Sequence, residues 1–175
     1  MSAIDLEQVL TGLPPLVDER SRVLVLGSFP SKLSLKKREY YGNPQNHFWQ
    51  IMEALFGIDR RAPYEHRTAR ILEERIAVWD VIAECSREGS GDDAIMDATP
   101  NSLSRLLHEF PDIRGIAFNG GTALRTARLF APDLFERDDL AWERLPSTSP
   151  RNARITVFAK LETWSRIKSW AEDRT

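Results

Sequence analysis

Val23-Leu24-Val25-Leu26 is an unbroken apolar run that stops at Gly27. A strand with one wet face alternates apolar and polar residues. A run without polar positions needs cover on both faces, and a parallel sheet flanked by helices supplies it. The same character returns in Ile76-Ala77-Val78-Trp79-Asp80-Val81-Ile82, in Ile113 to Phe118 and in the short Arg154-Ile155-Thr156-Val157-Phe158; Leu140 to Leu145 offers a further strand. Helical spacing fills the intervals. Residues 46–56 put Phe48, Ile51, Met52 and Leu55 on one face, and residues 64–74 are charged and amphipathic. Leu103, Leu106, Leu107 and Phe110 repeat the pattern, followed by 122–130 and by 163–172 with Trp164, Ile167 and Trp170. Strands alternating with helices predict right-handed crossovers and one three-layer α/β/α domain over residues 1–175, built on a central, mainly parallel sheet. Ligands of such sheets bind beyond the carboxyl ends of the strands. The polar, Gly-containing loop from Arg87 to Asp93 reads as the most flexible segment.

Nothing in the composition demands a staple or a membrane. A chain of 175 residues, 42% hydrophobic and 29% charged, can bury a core of its own. No apolar run approaches the roughly 18 residues of a membrane span. The start, Met-Ser-Ala-Ile-Asp-Leu-Glu, has neither the basic stretch nor the apolar core of an export signal. Cys85, the single cysteine, has no partner within the chain for a disulfide, and no Cys/His spacing suits zinc. The expectation is a monomeric protein of a reducing cytoplasm, with no metal, no cofactor, no membrane and no obligate protein partner. The net charge of −2 gives no general attraction to nucleic acid, so any such role falls to local clusters. Lys36, Lys37 and Arg38 form one, which reads equally as a solvated turn; Arg151 and Arg154 form another.

Three turns follow apparent strands: Gly27-Ser28-Phe29-Pro30-Ser31 with the downstream Tyr40-Tyr41-Gly42-Asn43-Pro44-Gln45-Asn46-His47-Phe48-Trp49; Asn119-Gly120-Gly121-Thr122; and Leu145-Pro146-Ser147-Thr148-Ser149-Pro150-Arg151-Asn152. Gly, Pro and Ser let backbone approach a ligand closely, yet each turn alone reads equally as a plain strand-to-helix connection. Asn46 stands where an N-cap for the following helix belongs, and Asn119 where an Asx turn would cap the helix from Thr122. Asp80 ends an apolar strand, where it serves either as a base or as a loop cap. His66 and His108 fall on charged helical faces.

The joint pattern is more specific. Gly-x-x-Pro, an aromatic, Pro-x-Asn-x-Phe-Trp and a later Leu-Pro-Ser-x-Ser turn resemble the uracil-DNA glycosylase superfamily. The wording Gly-Ser-Phe-Pro-Ser, Tyr-Tyr-Gly-Asn-Pro-Gln-Asn-His-Phe-Trp and Leu-Pro-Ser-Thr-Ser-Pro is similar to its hypoxanthine-DNA (deoxyinosine) glycosylase family. The likeness extends to Val78-Trp79-Asp80-Val81-Ile82, Phe118-Asn119-Gly120 and Lys160-Leu161-x-x-Trp164, nearly the whole chain. One departure matters. Mismatch-specific relatives carry Asn, and the classical uracil enzymes Asp, where this chain has Phe29, which cannot orient water.

The resemblance implies a glycosylase that acts on DNA containing a deaminated base, in a bacterial-type cytoplasm at the nucleoid. It implies Asn46 as the catalytic residue that positions water, and Gly27, Ser28, Phe29, Tyr41 and Asn119 as the base-binding set. Tyr41 would stack on the flipped base, with Tyr40 or Phe29 as alternatives. Pro30, Ser31, His47, Ser147, Thr148, Ser149, Pro150 and Arg151 would bind DNA, the last five residues in a loop that enters the gap left by the base. A uracil- or xanthine-preferring enzyme fits the same resemblance. A non-catalytic nucleic-acid-binding protein is the alternative from another class. A nucleotide-phosphate enzyme would need a Gly-x-Gly-x-x-Gly turn, which Gly27-Ser28-Phe29-Pro30 is not.

Overall fold

The computed structural model describes residues 8–87 and 95–172. Strand β1 is Val9–Thr11, β2 Val23–Gly27, β3 Ile76–Asp80, β4 Ile82–Arg87, β5 Ile95–Pro100, β6 Gly115–Asn119 and β7 Ala141–Leu145. Helix α1 is Lys32–Lys37, α2 Phe48–Phe56, α3 Tyr64–Glu73, α4 Leu103–Glu109, α5 Gly121–Phe130 and α6 Val157–Glu172. The four-stranded sheet has the order β3-β2-β6-β7, and each neighbouring pair is parallel. Register aligns Gly27 with Asp80 and Asn119 with Leu145, so these four residues form one carboxyl edge.

The unbroken run in β2 has the physical cause its sequence implies. Val23 and Val25 enter a core with Phe48, Ile51 and Met52 of α2 and Trp164 and Ile167 of α6. Leu24 and Leu26 point the other way, into a core with Leu103, Leu106 and Leu107 of α4 and Ala123 and Ala127 of α5. Alternate residues therefore bury both faces of the sheet, which gives the three-layer α/β/α arrangement. Burying one such Val or Leu stabilises the fold by roughly 1.5–3 kcal/mol.

The structure departs from the sequence reading at two of the expected strands. The expected strand 76–82 ends at Asp80: Val81 N–H bonds Gly27 O at 2.9 Å and Ile82 N–H bonds Ser28 O at 3.1 Å, which turns the chain out of the parallel sheet. From there β4 joins a second, antiparallel sheet in the order β1-β4-β5. The expected strand 154–158 does not form. Residues 154–156 are irregular and Val157 opens α6, with the Thr156 hydroxyl accepting from Ala159 N–H at 3.2 Å as an N-cap does. Phe158 is 84% exposed, so the β-branched cluster that suggested a strand lies on the surface at a helix start. The segment Lys36–Arg38 is the end of α1, where Arg38 adopts the left-handed conformation (φ 57°) that closes the helix. Residues 88–93 of the expected loop, and the start of the chain, lie outside the described residues.

Candidate active site

The carboxyl edge of the parallel sheet opens into a cleft of about 740 Å³. All three sequence turns line it. Of the expected site residues, Gly27, Ser28, Phe29, Pro30, Ser31, Tyr41, Asn46, Asn119 and Ser147 to Arg151 are brought together there. His47 is not on the lining; it stands behind Asn46.

Asn46 sits two residues before α2. Its Oδ1 accepts from Phe48 N–H at 2.9 Å, and its own N–H bonds Asn43 O at 2.9 Å. The amide oxygen has two lone pairs and the NH2 two hydrogens, so capping the helix uses one of four hydrogen-bonding positions. The side chain that makes this bond also lines the cleft. At His47, the backbone N–H bonds Thr148 O at 2.9 Å, and Nδ1 lies 3.1 Å from the Nζ of Lys160. Lys160 is fully buried in α6. Burial first, then the Lys160 charge, hold the His47 imidazole below its ordinary pKa, and burial lowers that of Lys160. The helical spacing of 163–172 began too late in the chain to reach Lys160, and a lone lysine carries no signal of burial.

Tyr41 takes φ 54°, which costs a non-glycine residue about 1 kcal/mol or more. Its ring stacks on Phe48 with centroids 4.0 Å apart and planes at 22°. Asn119, at the end of β6, holds the Tyr41 hydroxyl through Nδ2 at 3.1 Å. The same Nδ2 donates to Thr148 Oγ1 at 2.9 Å, and Asn119 Oδ1 accepts from Thr148 N–H at 2.9 Å. Both donors and the carbonyl of this amide are thus engaged within the protein. The other two aromatics are placed differently. Tyr40 is buried and its hydroxyl donates to Pro14 O at 2.7 Å, which anchors it in the core. Phe29 packs on Ile82 and Cys85 under the second sheet, with the Arg87 guanidinium 5.1 Å from its ring centroid.

The loop 147–152 is tied to itself. Ser149 N–H bonds Ser147 Oγ at 3.2 Å, Arg151 N–H bonds Ser149 Oγ at 3.3 Å, and Asn152 Nδ2 bonds Ser147 O at 3.1 Å. Pro150–Asn152 form a 3-10 turn that leaves Arg151 exposed at the rim. Ser31 caps α1 by accepting from Ser34 N–H at 3.1 Å, and Pro30 O accepts from Arg87 at 2.6 Å. Arg144, on β7, also lines the cleft, a residue whose strand gave no sign of a site. Asp80 is buried in the floor; its main-chain oxygen accepts from Asn101 Nδ2 at 2.8 Å. The arrangement can take a flat ring between an aromatic platform and a polar floor, with an amide ready to hold water beside it.

Comparison with known proteins agrees with this geometry. The family model of the uracil DNA glycosylase superfamily matches residues 14–171. A hypoxanthine DNA glycosylase from Methanosarcina acetivorans is 38% identical over 157 residues, covering 89% of this chain and 96% of that protein. Its counterpart from Methanosarcina barkeri is 36% identical over 110 residues, 62% of this chain and 70% of that one. The solution NMR structure of a candidate uracil DNA glycosylase from Methanosarcina acetivorans superposes with a TM-score of 0.79 at 34% identity, covering 93% of this chain and 99% of that one. With its sequence matched over nearly all its length and its cleft at the expected sheet edge, the chain belongs to the uracil DNA glycosylase superfamily.

Proposed function

We propose that this protein is a monofunctional DNA glycosylase that excises hypoxanthine from DNA and leaves an abasic site, acting on the nucleoid in the cytoplasm. The observation that carries the reading is that the Asn46 amide and the Tyr41 ring line one cleft at the carboxyl edge of the sheet. The named activity of both Methanosarcina relatives supports the choice of base. Hydrolysis needs no co-reactant beyond water. The C1′–N9 pair leaves with the base, the water oxygen then bonds to C1′, and the proton released from water ends on the base. An amide is a poor general base. Asn46 therefore orients the water while the sugar develops positive charge, and the bond to the base breaks ahead of attack.

The flipped base loses its stacking in the duplex, and the Tyr41 ring, backed by Phe48, replaces it. Asn119 contributes by fixing the Tyr41 hydroxyl and Thr148. Ser147, Ser149, Pro150 and Arg151 meet the flanking backbone, with Pro30 and Ser31 on the opposite lip and His47 behind Asn46.

The test is single-turnover excision from oligonucleotides carrying one hypoxanthine, uracil or xanthine, with alkali revealing abasic sites. Hypoxanthine should be released fastest. Asn46→Ser, which keeps a capping oxygen but lacks the amide, should lower the rate roughly 100-fold or more with folding retained. Release mainly of uracil would reassign the base. A rate equal to wild type in Asn46→Ser would remove Asn46 from the mechanism.

A further inference from the structure

Two fully buried side chains of α6, Lys160 and Trp164, lie one helical turn apart and reach the two segments that carry Asn46 and the 147–152 loop. Trp164 Nε1 donates to Pro146 O at 2.9 Å, where that loop begins. Lys160 Nζ lies 3.1 Å from Nδ1 of His47, the residue between Asn46 and α2. The two segments also meet each other, since His47 N–H bonds Thr148 O at 2.9 Å. Packing alone does not require a lysine here. The Trp164 indole sets its edge against Phe48, with centroids 6.2 Å apart, and an unbranched apolar side chain at 160 would fill the same core without desolvating an amine. What the amine adds is a directed bond to the imidazole next to the water-holding amide.

Resting on the glycosylase reading above, we infer that Lys160 is a positioning residue for excision: its amine donates to His47 Nδ1 and so fixes the segment that holds Asn46 against the 146–148 turn. An ammonium has three donors and no acceptor, so it meets the Nδ1 lone pair, and the neutral imidazole carries its proton on Nε2. With the ring held, residue 47 keeps the backbone geometry in which its N–H reaches Thr148 O and its carbonyl accepts from Ile51 N–H at 3.0 Å. Asn46, one residue earlier, then presents its amide at a constant place relative to the loop. A misplacement of about 1 Å in a group that orients a reactant costs up to roughly 100-fold in rate. Burial, and Lys160 as the charged group that acts on the ring, both keep the imidazole from taking a second proton. In acid that proton goes on Nδ1, the acceptor is lost, and Lys160 lets go.

The experiment measures single-turnover excision of hypoxanthine, both the maximal rate and the enzyme concentration at half-saturation. It uses wild type, Lys160→Met, His47→Leu, His47→Asn and the double variant Lys160→Met/His47→Leu. Lys160→Met keeps an unbranched side chain in the core and removes the donor. It should lower the maximal rate roughly tenfold or more with half-saturation unchanged. His47→Leu should lower the maximal rate as much, and the double variant no further, because each change removes the same bond. His47→Asn, whose amide oxygen stands near the place of Nδ1, should recover most of the rate that His47→Leu loses. The wild-type rate should fall in acid as Nδ1 is protonated, and Lys160→Met, already without the bond, should lack that step. Nitrogen NMR of the wild-type His47 imidazole at neutral pH should place the proton on Nε2. A Lys160→Met rate equal to wild type overturns the inference. So do additive losses in the double variant, an acid step kept in Lys160→Met, or a proton on Nδ1. If Lys160→Met does not fold, the His47 variants decide, and equal rates for His47→Leu and His47→Asn overturn the assignment. If wild type releases uracil and not hypoxanthine, the same comparison is made on uracil with the same outcomes. A wild type inert toward every base overturns the glycosylase reading and this inference with it, whereas an active enzyme indifferent to Lys160→Met overturns Lys160 alone.

Discussion

Three hydrogen bonds converge on the amide of Asn119, and the next residue makes them possible. Gly120 takes φ 94°, a conformation that favours glycine, and a Cβ there would stand 2.9 Å from the Ser147 Cβ. The left-handed turn lets β6 end with its amide facing Thr148 while the chain swings into α5. Gly120→Ala would therefore strain the backbone and push the 147–152 loop outward at once. The expected outcome is a loss of roughly 1–3 kcal/mol in stability, read by urea unfolding. Excision should fall further than that loss accounts for, because Thr148 and Tyr41 shift with Asn119. Unchanged unfolding in the variant would show that the turn tolerates a side chain. Asn46 and Asn119 were legible as amides after strands or before helices, and Asn46 does bond the backbone at the start of α2. What no residue pattern showed is that the Asn119 amide would engage three of its four hydrogen-bonding positions within the protein.

At the scale of elements, the parallel sheet was readable because a strand buried on both faces has to be apolar throughout, and β2 is. The antiparallel sheet was not, for a matching reason. Its strands are short and mostly mixed in burial, β5 carries Asp97 at φ 49°, and the pairing of β4 with β5 shifts register twice, so no period of two survives. The start of α6 misled in the opposite sense, since Ile155, Val157 and Phe158 are apolar where nothing buries Ile155 and Phe158 well. Lys160, through His47 Nδ1, and Trp164, through Pro146 O, tie this helix to the site.

The pKa directions of the Lys160–His47 pair set a pH dependence. His47 titrates below its ordinary 6.5 in the folded protein. As pH falls through 6.5 the unfolded chain takes up the proton first, so stability is lost from there down to the folded value. Lys160 titrates below its ordinary 10.5, so its burial costs stability at neutral pH, and the cost is relieved as pH rises toward 10.5. Lys160→Met removes both that cost and the charge that helps hold His47 down. Unfolding midpoints across pH 5 to 10 should then show a smaller loss on the acid side and no gain on the alkaline side. A profile parallel to wild type would show that the two groups are not coupled.

Across the whole molecule, a net charge of −2 gives DNA no general attraction, so binding falls to where the charges lie. Arg144 and Arg151 stand on the cleft lining, and Asp80 is the single acid among the described residues there. This division separates two kinds of recognition. An arginine at the rim is placed to meet phosphate on any sequence, whereas groups deeper in the cleft are reached only by a base that has left the duplex. Arg151→Ala should therefore weaken binding to intact and hypoxanthine-containing duplex by the same factor. The logarithm of affinity against the logarithm of salt should become less steep by about 0.9, the counterion release of one phosphate contact. Asn46→Ser should leave the salt slope alone on both duplexes, since the change removes no charge. Titrations of both variants on both duplexes, over a range of salt, test the division in one set of measurements. An Arg151→Ala slope equal to wild type would move the phosphate contact elsewhere on the rim, with Arg144 the next residue to replace.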